Sequence, residues 1–297
     1  MLSGVRTWFY FCVFFNLQHS PATASNLIPF LELMAITATH CHLKHLLSSV
    51  KFYHSAKGLP FPEFNFDVVN TMQGIKRRQS HTPNQALPLT PDIMRNMYNL
   101  LDMSKLADIA LWCSYLVTFY CLFRKSNSVP KSMNKVDLKR TLLRRHIRIT
   151  EDMVFLHCTF SKTIQFGQRD LVIPIPSNSD PALDPVRHLR ALYSDVDCPS
   201  DAPAFTHGPS KFVTHSTFTT RLRKLLTQAG YKPTLYSGHS FRRGGATLLY
   251  KLGATILQIQ ASGDWASQCF VRYLHVSAED RQAVQLLVSD AISSGRF

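Results

Sequence analysis

Gly238-His239-Ser240-Phe241-Arg242-Arg243-Gly244-Gly245-Ala246-Thr247 reads as the opening of a helix, with His239 and Arg242 three apart on one face. A helix N-terminus adds partial positive charge at that point, so the pair suits a phosphate. H-x-x-R is a short pattern, and alone it equally describes a capped surface helix.

Working outward, the chain on both sides is helical in period: Arg187–Tyr193 and Phe218–Ala229 before it, Phe241–Leu252 and Ala254–Gln260 through and after it. Further upstream, between Arg144 and Pro176, the period changes to two. Ile147/Ile149, Val154/Leu156/Cys158 and Leu171/Ile173/Ile175 predict three short strands. Helices are predicted over Asp92–Leu101, opened by Thr90 with Pro91 at the first helical position, and over Leu106–Phe123. Before residue 80 the apolar spacing predicts about four helices: Thr7–Leu17, Pro21–Ala38, His40–His54 and a fourth from Phe66 that ends in Lys76-Arg77-Arg78. The fold class expected is mainly α with a small antiparallel sheet (α+β). It divides into a helical bundle over 1–79, a proline-marked linker over 80–91 and a second domain over 92–297.

The chain has 297 residues, 33 Lys and Arg against 19 Asp and Glu, a net charge of +14 and 45% hydrophobic residues. With 18% charged residues it is not disordered by composition and has enough apolar side chain for one or two cores. The excess is spread: seven basic and three acidic residues precede residue 80, leaving 26 and 16 after it. Spread positive charge on a foldable chain suggests a polyanion, nucleic acid before membrane; a basic but unrelated fold has the same composition.

Seven scattered cysteines with no C-x-x-C pair read as reduced core thiols. Met1–Arg6, the apolar Trp8–Phe15 and Ala22-Thr23-Ala24 imitate a secretory leader. The odd cysteine count and the lack of an N-x-S/T sequon argue against secretion, and no apolar run is long enough to span a membrane. The expectation is a soluble intracellular protein.

Three other segments bear on His239 and Arg242. Cys121-Leu122-Phe123-Arg124-Lys125-Ser126-Asn127 ends an apolar helix with an arginine, and Ser161-Lys162-Thr163-Ile164-Gln165 falls in the turn between the second and third predicted strands. Gly263-Asp264-Trp265 is followed, eight residues after the tryptophan, by Tyr273 within Phe270-Val271-Arg272-Tyr273-Leu274.

The order Arg, Lys, His-x-x-Arg, Trp, Tyr, with spacings of 38, 77, 3, 23 and 8, resembles the tyrosine recombinase (phage integrase) family. The local wording R-K-S-N, S-K-T-I-Q, G-H-S-F-R-R-G and G-D-W followed by R-Y-L is most similar to the recombinases of eukaryotic Crypton-type and DIRS-type mobile elements. The resemblance covers nearly the whole chain. It implies an N-terminal core-binding domain and a catalytic domain from about residue 85. It further implies that Arg124 and Arg242 hold the scissile phosphate, Lys162 is the hairpin lysine, His239 the histidine of the pair, Trp265 the residue at the His/Trp position and Tyr273 the nucleophile. DNA cleavage and rejoining, a DNA-bound homotetramer and integration of a mobile element would follow, with no cofactor, metal or small-molecule substrate. A non-catalytic domesticated DNA-binding protein and a type IB topoisomerase-like enzyme are the rival readings.

The chemistry agrees with that assignment. Attack on a phosphodiester builds charge on the non-bridging oxygens, which two guanidiniums hold bidentately without a metal. A tyrosine hydroxyl, ordinarily titrating near 10, is a poor nucleophile at pH 7 and needs a proton acceptor, for which His239 is suited. Lys162 would protonate the leaving 5′-oxygen, and Trp265 would offer an indole N–H and an apolar wall. Two departures stand out. Asn127 occupies a position where many members carry an acid, and Phe270 one where related elements often have a second tyrosine. Lys76, Arg77, Arg78, Lys139, Arg140, Arg144, Arg145 and Arg243 are expected to add sequence-neutral DNA contacts, the clusters also suiting nuclear import. His40-Cys41-His42 with His45 lacks a second ligand pair elsewhere and reads better as a helix face than as a metal site.

Overall fold

A computed structural model of the chain describes residues 2–62, 65–79, 85–134, 136–160, 171–265 and 267–294. Two compact units emerge, residues 1–84 and 85–297.

The first unit is four helices: α1 (Leu2–Phe14), α2 (Ala24–Ala35), α3 (His40–Ala56) and α4 (Phe66–Arg78). Their ends are set by side chains that satisfy free backbone N–H groups: Thr39 accepts from His42 at the start of α3, and Asn65 accepts from Asp67 and Val68 at the start of α4. Trp8, Leu27, Phe30, Leu31, Leu43, Val50 and Ile75 fill the centre. Polar groups caught in it are paired. The Trp8 indole donates to the His19 carbonyl at 3.0 Å, and buried His54 accepts from the Ala22 amide at 2.9 Å.

The second unit is organised around α6 (Leu106–Tyr120), whose residues from Asp108 to Phe119 are all buried. A helix apolar on every side belongs at the centre of a layered core. Before it runs α5 (Pro91–Tyr98); after it come the single turn α7 (Lys125–Ser128) and a three-stranded antiparallel sheet of β1 (Ile147–Ile149), β2 (Met153–Cys158) and β3 (Leu171–Pro176), in that order. The expected alternation holds in register: Ile147, Leu156 and Ile173 lie opposite one another, as do Ile149, Val154 and Ile175. Helix α8 (Pro185–Asp195) follows, capped by the Asp184 carboxylate. The hairpin β4 (Thr206–Gly208) and β5 (Lys211–Phe212), then α9 (His215–Gln228), α10 (His239–Lys251), α11 (Ile256–Ser262) and α12 (Ala278–Ser294), complete the unit. The mainly helical α+β class is as the sequence indicates, and the alternation falls on the strands it predicts.

Differences are local. The Leu106–Phe123 helix stops at Tyr120 because Leu122 adopts a left-handed conformation, φ 50°. Residues 85–91, read from sequence as part of a connecting stretch, are built into the second unit: the Leu87 amide donates to Leu235 at 2.7 Å, the Leu89 amide donates to Ser240 at 3.0 Å, and Leu89 is fully buried. The hairpin β4–β5 and α12 have no counterpart in the sequence reading.

The decisive stretch Gly238–Thr247 forms the first turns of α10. Phe241 anchors it, its ring 4.8 Å from that of Tyr115 and 5.3 Å from that of Phe218. The glycine pair lets the backbone come close: a Cβ on Gly244 would lie 1.9 Å from the Leu89 carbonyl oxygen, and one on Gly245 would lie 2.6 Å from that of Phe119.

Candidate functional site

The site forms where the end of α6, the start of α10 and the end of α11 meet. After Leu122 the chain turns outward through Phe123, and Arg124 becomes the residue before the first turn of α7. Left-handed backbone at a bulky residue is costly, and here the Leu122 carbonyl receives a hydrogen bond from Arg242 Nη1. Arg242 Nη2 donates to the Gly263 carbonyl at 2.8 Å. Its guanidinium lies 4.1 Å from the centroid of the Trp265 ring and 5.3 Å from that of Tyr273. Only 4% of Arg242 is exposed. This arginine is held on two edges and one face before any ligand arrives.

Arg124 is half-buried; its carbonyl accepts from the Asn127 amide at 2.8 Å, and its side chain makes no hydrogen bond or ion pair among the described residues. It lines a small cleft together with Arg242, Asn127, Cys158 and Asp264. His239, the first residue of α10, is exposed. Its pKa is held below the usual 6.5, first by desolvation and then by the positive charges of Arg124, Arg242 and Lys125. At pH 7 the ring is therefore neutral and able to accept a proton.

Tyr273 closes a 3-10 turn, Gln268–Tyr273, and is half-buried. Its ring centroid is 5.4 Å from that of Trp265. The segment is tied to α10: Arg243 Nη1 donates to the Arg272 carbonyl at 2.8 Å, and the His275 amide donates to the Thr247 hydroxyl at 3.1 Å. Trp265 is 6% exposed and packs its ring against Gly263, where a Cβ would lie 1.8 Å from it. It serves as the floor under Arg242, and its indole N–H has no partner among the described residues. The residue that lines the cleft at this point is its neighbour Asp264.

Arg124, His239, Arg242, Trp265 and Tyr273 thus come together in one unit. Lys162 lies outside the described residues. Among the cations expected to touch DNA, Lys76, Arg77 and Arg78 are exposed on α4, and Lys139, Arg140 and Arg145 are exposed in the second unit. Arg144 and Arg243 depart from that expectation, because both are buried, 8% and 7% exposed, with protein partners. Arg144 donates to the Val196 and Leu192 carbonyls and lies 4.0 Å over the Tyr193 ring. Arg243 bridges Gln85 and the Arg272 carbonyl. Their charge is spent inside the fold. No group of three or more His, Cys, Asp or Glu among the described residues is placed to hold a metal, and no described helix is long and apolar enough to cross a membrane.

Solved structures share this architecture. The chain is similar to the XerH site-specific recombinase bound to palindromic difH substrate in a post-cleavage complex, with a TM-score of 0.53 at 12% identity, over 92% of this chain and 70% of that one. It is similar to the Tn1549 transposon integrase in complex with circular intermediate DNA, with 0.53 at 12% identity over 89% and 85%. A lambda integrase dimer bound to a COC′ core site gives 0.52 at 14% identity over 94% and 70%. The fold is that of the tyrosine recombinases. No family model matches the sequence, and no curated protein matches it. Within the recombinase fold, the described site residues fall on the end of α6, the start of α10, the turn after α11 and the 3-10 turn that follows, each on a rigid element or its immediate cap.

Proposed function

We propose that this chain is a tyrosine recombinase that breaks DNA through Tyr273, forming a 3′-phosphotyrosyl link that a 5′-hydroxyl then attacks to rejoin the strand. The observation that carries the reading is Arg242, wedged between two carbonyls and the Trp265 ring and facing the Tyr273 ring at 5.3 Å. With Arg124 in the same cleft, two guanidiniums are available to one phosphate.

In the reaction, Arg124 and Arg242 bind the non-bridging oxygens, and neutral His239 accepts the proton lost by the attacking hydroxyl. Lys162 protonates the leaving 5′-oxygen, as the family resemblance implies. Energy is conserved in the phosphotyrosyl bond, so rejoining needs no nucleotide hydrolysis. Lys76, Arg77, Arg78, Lys139, Arg140 and Arg145 supply salt-dependent grip on double-stranded DNA. Exchange between two duplexes calls for a homotetramer on DNA. Leu286, Leu287, Val288 and Ile292, exposed along α12, support the existence of such subunit contacts. The Crypton-type and DIRS-type wording points to a mobile element as the origin and to the nucleus as the place of action.

Incubation with nicked duplexes randomised around the nick tests this. The wild type is expected to give a covalent protein–DNA adduct and recombinant joints between duplexes. Binding with no adduct on any duplex would leave a DNA-binding module; relaxation without joints would indicate a topoisomerase. Cleavage should also depend on pH in a set direction. Because the His239 pKa lies below 6.5, the rate is expected to be flat above pH 7 and to fall as acid protonates the ring, while His239→Gln lowers the rate about 10²-fold and flattens that acid limb.

A further inference from the structure

Beside the cleft lies a second group of cations. Lys125 directly follows Arg124, is half-buried, and packs its stem so closely against Gly238 that a Cβ there would lie 3.2 Å from the lysine Cβ. Gly238 is the residue before His239, so the lysine is wedged between the start of α7 and the start of α10. Its Nζ donates to the Thr219 hydroxyl at 2.9 Å, and that hydroxyl donates to the His215 carbonyl at 2.9 Å. The ammonium is thereby fixed, with two further N–H groups to offer. His215, Thr219 and Arg223 follow at intervals of four along α9 and share one face of it. Burial, then the charge of Arg223, holds the Lys125 pKa below its usual 10.5. Burial, then Lys125 and Lys131, holds His215 below 6.5. Lys125, Lys131 and the Arg223 side chain make no ion pair among the described residues, whereas Arg221 on the same helix has the Asp108 carboxylate at 2.5 Å.

A half-buried cation fixed among other cations is unfavourable until an anion joins it. We propose that Lys125 and Arg223 form a second phosphate subsite, which takes the backbone phosphate next to the scissile one on the same DNA strand. This rests on the reading of the Arg124 and Arg242 cleft as the scissile-phosphate site. Lys125 is the fixed member, and the exposed Arg223 side chain closes on the phosphate from α9. Two phosphates held at once set the register of the strand across the cleft, because a strand displaced along its axis cannot fill both subsites.

The test compares the wild-type full chain with Lys125→Met, which keeps the stem against Gly238 and removes the charge, and with Arg223→Gln at an exposed position. Binding to a nicked duplex is followed against salt concentration. Each variant is expected to bind about 10-fold more weakly, with the slope of log K against log salt smaller by about 1. A residue with only a packing role would lower the melting temperature and leave that slope unchanged. Adduct formation then locates the contact, on duplexes in which the phosphate on one side or the other of the scissile one is a neutral methylphosphonate. In the wild type one of these two duplexes is expected to react about 10-fold more slowly, and in either variant the same duplex is expected to lose nothing further. Unchanged affinity and slope in either variant, a wild type indifferent to both methylphosphonates, or equal sensitivity in wild type and variants would overturn the proposal. A wild type that forms no adduct on any duplex would count against the recombinase reading, while the salt slopes still decide whether Lys125 and Arg223 hold phosphate.

Discussion

Arg242→Lys is expected to lower strand cleavage by about 10³-fold while leaving the protein folded. Lysine keeps the charge, but its ammonium is a compact point on a flexible stem. It cannot reach the Leu122 and Gly263 carbonyls together and also lie flat on the Trp265 ring. The phosphate would then meet a mobile cation in place of a fixed fork, and the electrostatic pre-organisation would be lost. Arg242→Ala should be worse in a second way. It leaves two buried carbonyls without a donor, at about 1–3 kcal/mol each, so it is expected to lower stability as well as activity. Cleavage of a nicked duplex, measured beside a thermal melt, separates the two effects. A lysine variant with more than a tenth of wild-type activity would show that the fixed guanidinium is not what the reaction uses.

Gly244→Ala is expected to be the most damaging small change in the second unit, costing more than about 3 kcal/mol. The added Cβ would lie 1.9 Å from the Leu89 carbonyl oxygen and 3.0 Å from the Phe119 ring. A backbone carbonyl cannot swing aside as a side chain can, so α10 must move away from residues 85–91. Arg242 lies two residues earlier on that helix, and its contacts with Leu122 and Gly263 would go with the shift. Chemical denaturation should show the stability loss, and adduct formation should fail with it. Gly74→Ala in the middle of α4, where a Cβ meets nothing within 4 Å, provides the control and is expected to stabilise by about 0.5–1 kcal/mol.

The layout of the second unit was legible from the sequence because its period changes are abrupt. Alternating Ile, Val and Leu between residues 147 and 175 allow little but short strands, and the unbroken apolar run of α6 allows little but a central helix. Arg124, His239, Arg242, Trp265 and Tyr273 were readable as candidates from their order, which resembles the recombinase pattern, and the fold brings all five into one unit.

What the sequence hides is which side of each residue does the work. Arg144 and Arg243 look like their neighbours Arg145 and Arg242 in a basic run, yet their acceptors are carbonyls contributed by Leu192, Val196 and Arg272. Nothing near them in sequence signals those partners. Trp265 was legible as a candidate, but its place beneath Arg242 and the exposure of Asp264 to the cleft depend on the left-handed turn after α11. Leu122 in a left-handed conformation runs against its own propensity, so the early end of α6 is set by the tertiary contact with Arg242 and not by any local stop signal.

The proposed reaction transfers a phosphodiester to one tyrosine hydroxyl. The most direct measurement traps the adduct on a nicked duplex, digests both the DNA and the protein, and reads by mass spectrometry which peptide retains a nucleotide. A 3′-linked nucleotide is expected on the peptide that contains Tyr273, and none after Tyr273→Phe. A nucleotide on any other residue, or an adduct that survives the phenylalanine substitution, would contradict it.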